Sequence, residues 1–260
     1  MNDMEATNPI INFARVALIS MNGESSEERQ LADKVTSNND EQLPPLAFLK
    51  EYLGGWPEEK TSITIISDPK RDEPGWDGAV RRAVGVIDEN GAGVLSLAPH
   101  LADPLLERLG KDKIFKDEVG EVARHLGARE FFGVFRWSTS INSFDDIGQW
   151  IDANDESVPD WLKPFGHEVL VAFDDDHNYI GGVGIKYHLE HGREIAVVVD
   201  ERAARRQVAR RLVSKAALAI LDGGNVPIYL HAESNVASAR VAEAVGFKDR
   251  GWRIIGMNFE

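Results

Sequence analysis

The sequence predicts an α/β (α+β) fold, with an N-terminal α/β domain over residues 1–130 and a second domain over residues 131–260. Three observations lead there. An apolar fraction of 43% with 28% charged residues over 260 residues supports a packed core, in one large domain or two ordinary ones. Short β-branched runs bounded by turn residues alternate with stretches of helical periodicity. In the last third the elements follow in the order β–β–β–α–β–α–β.

The elements are justified in turn. "IINFARVALISM" reads as a strand or short helix, and the polar stretch after it as a solvated helix or loop. "LPPLAFLKEYLGGW" is a proline-started helix that stops at Gly54-Gly55. "TSITIISD" alternates and is β-branched, so it is a strand. "AVRRAVGVIDENGAGVLSLAP" forms a hairpin around Glu89-Asn90-Gly91. "LADPLLERLG" and "KDEVGEVARHLGA" are short amphipathic helices, and "EFFGVFRWST" is a buried strand. "SFDDIGQWIDAN" reads as a helix capped by Ser143, and "VPDWLKPFG" as a helical turn. "HEVLVAF" and "YIGGVGIKYH" make a hairpin, and "REIAVVVD" is a third, doubly buried strand. A helix follows from about Glu201 to Leu221, with Val208, Leu212, Ala216 and Ala219 on one face. "VPIYLHAE" is a strand, "SNVASARVAEAVGF" a helix capped by Ser234 or Asn235, and "GWRIIGMNF" the last strand.

Charge and composition exclude several functions. Net charge is −14 and uneven: residues 1–155 carry 28 acidic and 16 basic side chains, a balance of −12, and residues 156–260 carry 15 and 13, a balance of −2. The acidic first half repels nucleic acid and anionic membranes. The absence of cysteine excludes disulfides, thiolate metal sites and a cysteine nucleophile, and fits a cytoplasmic protein. "MNDMEATNPI" lacks the pattern of a signal peptide, and no run approaches the ~20 apolar residues of a membrane span.

"REIAVVVDERAARRQVARRLVSKAALAIL" followed by "VPIYLHAESNVASARVAEAVGFKDRGW" resembles the Gcn5-related N-acetyltransferase (GNAT) superfamily, over roughly Val158 to Trp252. The most specific piece is "NVASARVAEAVGF", ending in Gly246-Phe247 at the right distance after a strand. The resemblance implies a mixed, mostly antiparallel sheet flanked by helices. It also implies an acyltransferase that moves an acyl group from acyl-CoA, with acetyl-CoA the first expectation, to the amine of a small molecule. The pieces within residues 1–130 are those a second, eroded copy of the same fold would leave, which makes a tandem arrangement the expectation for the whole chain.

The resemblance also assigns residues. Acyl-CoA lies where two central strands splay, at Val197 and Val198, and its pyrophosphate meets N–H groups at the start of the long helix. The family's phosphate motif falls on Ala204, Arg205, Arg206, Gln207, Val208 and Ala209. Its first residue is here alanine and its first glycine is Gln207; Ala209 fits. Arg205, Arg206 and Arg210 can supply charge-assisted contacts in place of the close backbone approach that glycine allows. Asn235 holds the pantetheine arm or an ordered water, or is simply an N-cap, and Ser238 lies one turn on.

The chemistry needs a base for the amine proton. Glu194 begins the strand before the long helix, where family members place a carboxylate; its alternative is pairing with Arg193 or another base. His231 ends the next strand and has a suitable titration range, or serves as a structural hydrogen-bonder. His188 and His191 precede Glu194 in a loop. The family's tyrosine acid falls at Ala242, so Tyr229 or water would protonate the leaving thiolate. Trp137 and Trp161 are expected to wall the acceptor pocket. Gly181–Gly184 marks close backbone approach or a bulge where ligand passes. Asp174–His177 is a turn of solvated charges in preference to a metal site. No metal is expected. Two other readings stay open: the same fold taking its acyl group from a carrier protein or aminoacyl-tRNA, and a non-catalytic binding module. A homodimer stays open as well.

Overall fold

The structure is a computed structural model that describes residues 43–58, 61–187, 189–203 and 207–259. The "IINFARVALISM" run and the polar stretch after it lie outside the described residues, as do His188, Ala204, Arg205 and Arg206.

Helix α1 (Leu46–Leu53) starts after Pro44-Pro45 and ends on Gly54 at φ +79°, a left-handed cap that glycine adopts without steric cost. Strands β1 (Ile63–Ser67), β2 (Ala83–Ile87) and β3 (Gly93–Leu97) follow, the last two as the expected hairpin. Helix α2 (Pro99–Leu109), the two-residue strand β4 (Lys113–Ile114) and helix α3 (Val119–His125) lead to the long strand β5 (Ala128–Trp137). Strands β6 (Gln149–Asp152), β7 (Glu168–Phe173), β8 (Tyr179–Lys186) and β9 (Gly192–Val199) then run antiparallel to one another in sequence. Helix α4 (Val208–Asp222) crosses to β10 (Val226–Ala232), and helix α5 (Val236–Val245) precedes β11 (Arg253–Phe259).

All eleven strands join one sheet in the order β4-β1-β3-β2-β11-β5-β10-β9-β8-β7-β6. The pairing is antiparallel except for β1 with β3 and β9 with β10. The expected mixed, mostly antiparallel sheet flanked by helices is therefore present. The division expected between residues 130 and 131 falls inside β5, and the sheet continues through it in both directions.

Side chains alternate between the two faces of a strand, so the ladder registers assign each residue a face. Ile255 stands opposite Phe132, and Val134 opposite His231, so Ile255, Val134, His231 and Tyr229 share one face. That face carries α2 and α3 over one half and α4 and α5 over the other. The opposite face carries Phe135, Trp137, Ile228 and Leu230, packed under α1.

Two local expectations are corrected. Residues 143–152 are not a helix capped by Ser143; the stretch is irregular up to Gly148 and then becomes β6. The cause is tertiary. Arg211 donates to the carbonyls of Asp145 and Asp146, and Lys215 donates to that of Gly148, so α4 takes the acceptors a helix would have used. Gly148 at φ +70° then turns the chain into the sheet edge. The long helix begins later than expected, because Glu201–Ala203 form a separate 3₁₀ turn; Ala219 is exposed, and Val213, Ala217 and Ile220 complete the buried face with Val208, Leu212 and Ala216.

Candidate active site

Strands β9 and β10 pair in parallel only from Val226/Gly192 to Tyr229/Ile195. Beyond that point Ala196–Val199 remain paired to β8 and Leu230–Ala232 to β5, and the two strands part. Each then has one edge whose backbone groups the other does not satisfy. A cavity of about 390 Å³ lies beside this fork, on the α1 face of the sheet. Its floor includes Lys186 of β8, Glu194 of β9, Leu230 of β10, Gly133 of β5 and Ile254 of β11. Its roof is Tyr52 of α1 with Arg71, Pro74, Trp76 and Arg81 from the segment after β1.

Glu194 is the buried carboxylate of this cavity, 8% exposed. It stands opposite Lys186 in the β8–β9 ladder, and Lys186 Nζ donates to its Oε1. Each side chain is thus buried with an opposite charge as its partner. Lys186 lies in turn over the Trp76 ring, 5.1 Å from the centroid. No described residue donates to Glu194 Oε2. Arg193, the first partner considered from sequence, turns away to the Leu189 carbonyl and the Tyr187 ring. Tyr52 lines the same cavity; burial raises its hydroxyl pKa, with the Arg71 charge opposing.

The structure does not bring the other two catalytic candidates to Glu194. Glu194 pairs with Ile228, so Tyr229 and His231 project from the opposite face. His231 is buried there. Its Nε2 accepts from Arg136 Nε at 3.0 Å, and its Nδ1 faces the Ala232 carbonyl at 2.9 Å. Arg136 can only donate, so the ring is the neutral Nδ1–H tautomer with both nitrogens engaged. Burial lowers its pKa, and the Arg136 charge adds to that. The backbone of His231, by contrast, lies between the cavity-lining residues Leu230 and Ala232. Tyr229 is 1% exposed, its hydroxyl 2.9 Å from Ser238 Oγ and its pKa pushed up to about 12 by burial.

The phosphate-site candidates cluster at the start of α4. Among the described residues, the first bond of this helix runs from Arg211 N to the Gln207 carbonyl, and the N–H groups of Gln207, Val208, Ala209 and Arg210 have no acceptor there. The Gln207 side chain does not cap the helix, and the first turn holds no acidic residue. Gln207 has φ +56°, the left-handed conformation, at the position where the family motif has glycine. Val208 is a core residue, so its N–H alone is available. Two neighbouring arginines are committed elsewhere: Arg202 to Asp200 and Arg211 to the carbonyls already described. Val197 packs toward α4 and Val198 pairs with Gly182, both past the end of the β9–β10 ladder. Asn235 Oδ1 accepts from Ser238 N at 3.0 Å, which makes it the N-cap of α5.

Other expectations change. Trp76 walls the cavity, whereas Trp137 is sealed in the core under α1 and Trp161 packs on Phe165 and donates to the Tyr179 hydroxyl. The glycines of β8 make room for protein. A Cβ on Gly184 would lie 2.4 Å from the Phe165 ring, and one on Gly182 would lie 2.8 Å from Leu162. Asp174–His177 form the β7–β8 turn, with Asp174 accepting from Asp176 and Asn178. No group of three metal-ligating side chains occurs among the described residues. No helix among them is long and apolar enough to cross a membrane. Sequence reading missed Lys186, Tyr52, Arg71 and Trp76. Lys186 was within reach, since a hairpin of β8 and β9 sets it against Glu194; the other three arrive through long-range packing.

The site thus combines a parallel β–α–β unit, β9–α4–β10, whose strands part beyond Ile195 and Tyr229, with the start of α4 at that fork. Residues 131–247 match the model of the acetyltransferase (GNAT) family. A second copy before it is not confirmed. Solved structures similar to the chain include a GNAT-family protein from Novosphingobium aromaticivorans (20% identity, TM-score 0.42, 50% of this chain and 66% of that one). A GCN5-related N-acetyltransferase-like protein from Streptococcus suis is 19% identical, with TM-score 0.42 over 64% of this chain and 79% of that one. A GNAT-family acetyltransferase from Colwellia psychrerythraea is 13% identical, with TM-score 0.41 over 53% and 61%. The chain thus spans about two thirds of the first of these proteins. No curated protein matches the chain.

Proposed function

We propose that the protein transfers an acyl group from acyl-CoA, acetyl-CoA in the first instance, directly to the amine of a small molecule. The observation that carries this reading is the buried Glu194 carboxylate, with one oxygen held by Lys186, in a cavity at the fork of β9 and β10. The amine lies against Glu194 Oε2. Its nitrogen attacks the thioester carbonyl carbon; the C–N bond forms, the C–S bond breaks, and the electron pair leaves on sulfur. Glu194 takes the proton of the amine, directly or through water, and solvent protonates the thiolate. The N–H groups of Gln207 to Arg210 bind the pyrophosphate with Arg205, Arg206 and Arg210, and the free edges at Val197 and Val198 hold the arm. Asn235 and Ser238 shape the α5 side of that channel. The absence of cysteine fits direct transfer without an enzyme thioester. On this reading His231 and Tyr229 are positioning residues that brace β10 from behind.

Glu194→Gln tests the proposal. Thiol release from acetyl-CoA in the presence of an accepted amine should fall by about 10²–10⁴. Calorimetric acetyl-CoA affinity should stay at the wild-type value. Unchanged turnover in the variant would remove Glu194 from the chemistry. One observation favours a second donor class: the Gln207 side chain stands where a close-fitting pyrophosphate needs glycine. If neither acetyl-CoA nor longer acyl-CoAs bind, a carrier-protein or aminoacyl-tRNA donor becomes the reading to test.

A further inference from the structure

The cavity holds a second buried ion besides the Glu194 pair, and it comes from outside the residues that match the family. Arg71 sits in the 3₁₀ turn Pro69–Asp72, its side chain 9% exposed. Its Nε donates to Ser96 Oγ of β3 at 3.0 Å, and its Nη2 donates to the Tyr52 carbonyl in α1. The guanidinium carbon lies 5.2 Å from the Tyr52 ring centroid. The facing carboxylate, Asp68, stands 3.9 Å from Nε, beyond hydrogen-bond length. No described residue accepts from Nη1. Among the described residues no polar side-chain atom is sealed without a partner, so Nη1 opens on free space, and the space Arg71 lines is the cavity. The same reasoning opens Glu194 Oε2 onto it. Arg71 and Glu194 both line that one cavity, with Tyr52. Tyr52, Trp76, Leu230 and Ile254 supply apolar wall around them.

We propose that the acceptor amine also carries a carboxylate, and that it is an α-amino acid with an apolar side chain. Arg71 is then the specificity-determining residue. Its planar fork offers donors matched to a carboxylate, which a point charge would not. Glu194 Oε2 meets the amine, and the aromatic wall takes the side chain. The cavity's volume of about 390 Å³ suits a small ligand. The segment before the GNAT-family domain thus decides what is acylated, and the domain supplies the fork and the base. The fate of the amine rests on the acyl-transfer reading; its binding does not.

The test is calorimetry on the full chain without donor. The probes are L-leucine, L-methionine and L-phenylalanine, each with the matched amine that lacks the carboxylate and the matched acid that lacks the amine. At least one amino acid should bind about tenfold or more tighter than its amine, the worth of one charge-assisted pair, and its matched acid should compete. Arg71→Gln should erase that advantage while leaving binding of the plain amine and of acetyl-CoA unchanged. Equal or tighter binding of the plain amines overturns the proposal, as does failure of all three amino acids to bind, an acid that does not compete, or an advantage that survives in folded Arg71→Gln. Should Arg71→Gln not fold, the wild-type comparison still decides. Thiol release separates the two readings. An amino acid that binds but is never acetylated sinks transfer and leaves this proposal standing; a plain amine acetylated as well as its amino acid does the reverse.

Discussion

The His231 ring is enclosed between β5 and the end of α5, where Arg136 also bonds Glu243 and the Phe247 carbonyl. A proton on Nε2 would set two cations against each other at a 3.0 Å contact. Burial and that charge lower the ring's pKa in the folded chain, against about 6.5 in the unfolded one. The unfolded state therefore binds a proton, as pH falls below about 6.5, that the folded state refuses. The stability tied to the neutral ring is complete above that pH and is lost as pH falls toward the lowered folded value. Melting temperature should accordingly decline between about pH 7 and 5 in the wild type. In His231→Gln, whose amide oxygen can still accept from Arg136, the decline should be shallower. Parallel profiles would show that the ring titrates in the fold as it does in water. Sequence placed His231 at a strand end and left base and hydrogen-bonder open; what decides between them is Arg136, 95 positions away on the neighbouring strand β5.

At the scale of elements, the start of α4 combines two demands that a glycine would meet together: a left-handed φ and close approach of a phosphate. Gln207 meets the first at a cost of about 1 kcal/mol. It meets the second only if its side chain swings aside. Gln207→Gly removes the strain but gives the unfolded chain more freedom, worth about 0.5–1 kcal/mol in the other direction. Stability should then barely move, within about 2 °C in Tm, while acetyl-CoA affinity measured by calorimetry rises. Affinity that falls instead would make the Gln207 amide a ligand of the donor. Where local signals and tertiary demands agreed, the elements were legible: the Pro44-Pro45 start and Gly54 stop of α1, the Asp88–Gly91 turn, the Asn235 cap. They failed where another element's side chains took over the backbone. Ser143 to Asp152 carries a sound helix pattern, but Arg211 and Lys215 claim its carbonyls and Gly148 redirects it. Strand β9 was legible in the same local way, because Glu194 opens a run of apolar residues. The cavity roof was not, because Tyr52, Arg71 and Trp76 reach Glu194 only through the packing of α1 and the segment after β1 onto a sheet more than a hundred positions away.

For the whole molecule, the sheet's continuity sets what folds with what. Strand β5 lies between β10 and β11, and β11 lies between β5 and β2. The family match begins inside β5. Cutting there would leave β11 an unpaired edge and strip α1 from Phe135, Trp137, Ile228 and Trp252. An apolar face of that extent, beside an open strand edge, is what soluble chains avoid exposing. The stacked pair Trp56 and Trp252, ring centroids 5.3 Å apart, ties the two sides together once more. The full chain should therefore unfold in one calorimetric transition, with the near-ultraviolet tryptophan signal and backbone ellipticity lost together. A fragment of residues 126–260 should show no cooperative transition, since α1 and the strand β2 that cover its apolar face and its β11 edge are missing. Two separated transitions in the full chain, or a fragment that melts cooperatively at the wild-type temperature, would make residues 43–125 an independent domain. The acceptor cavity would then be a docking surface between two folded bodies and not a chamber built by one.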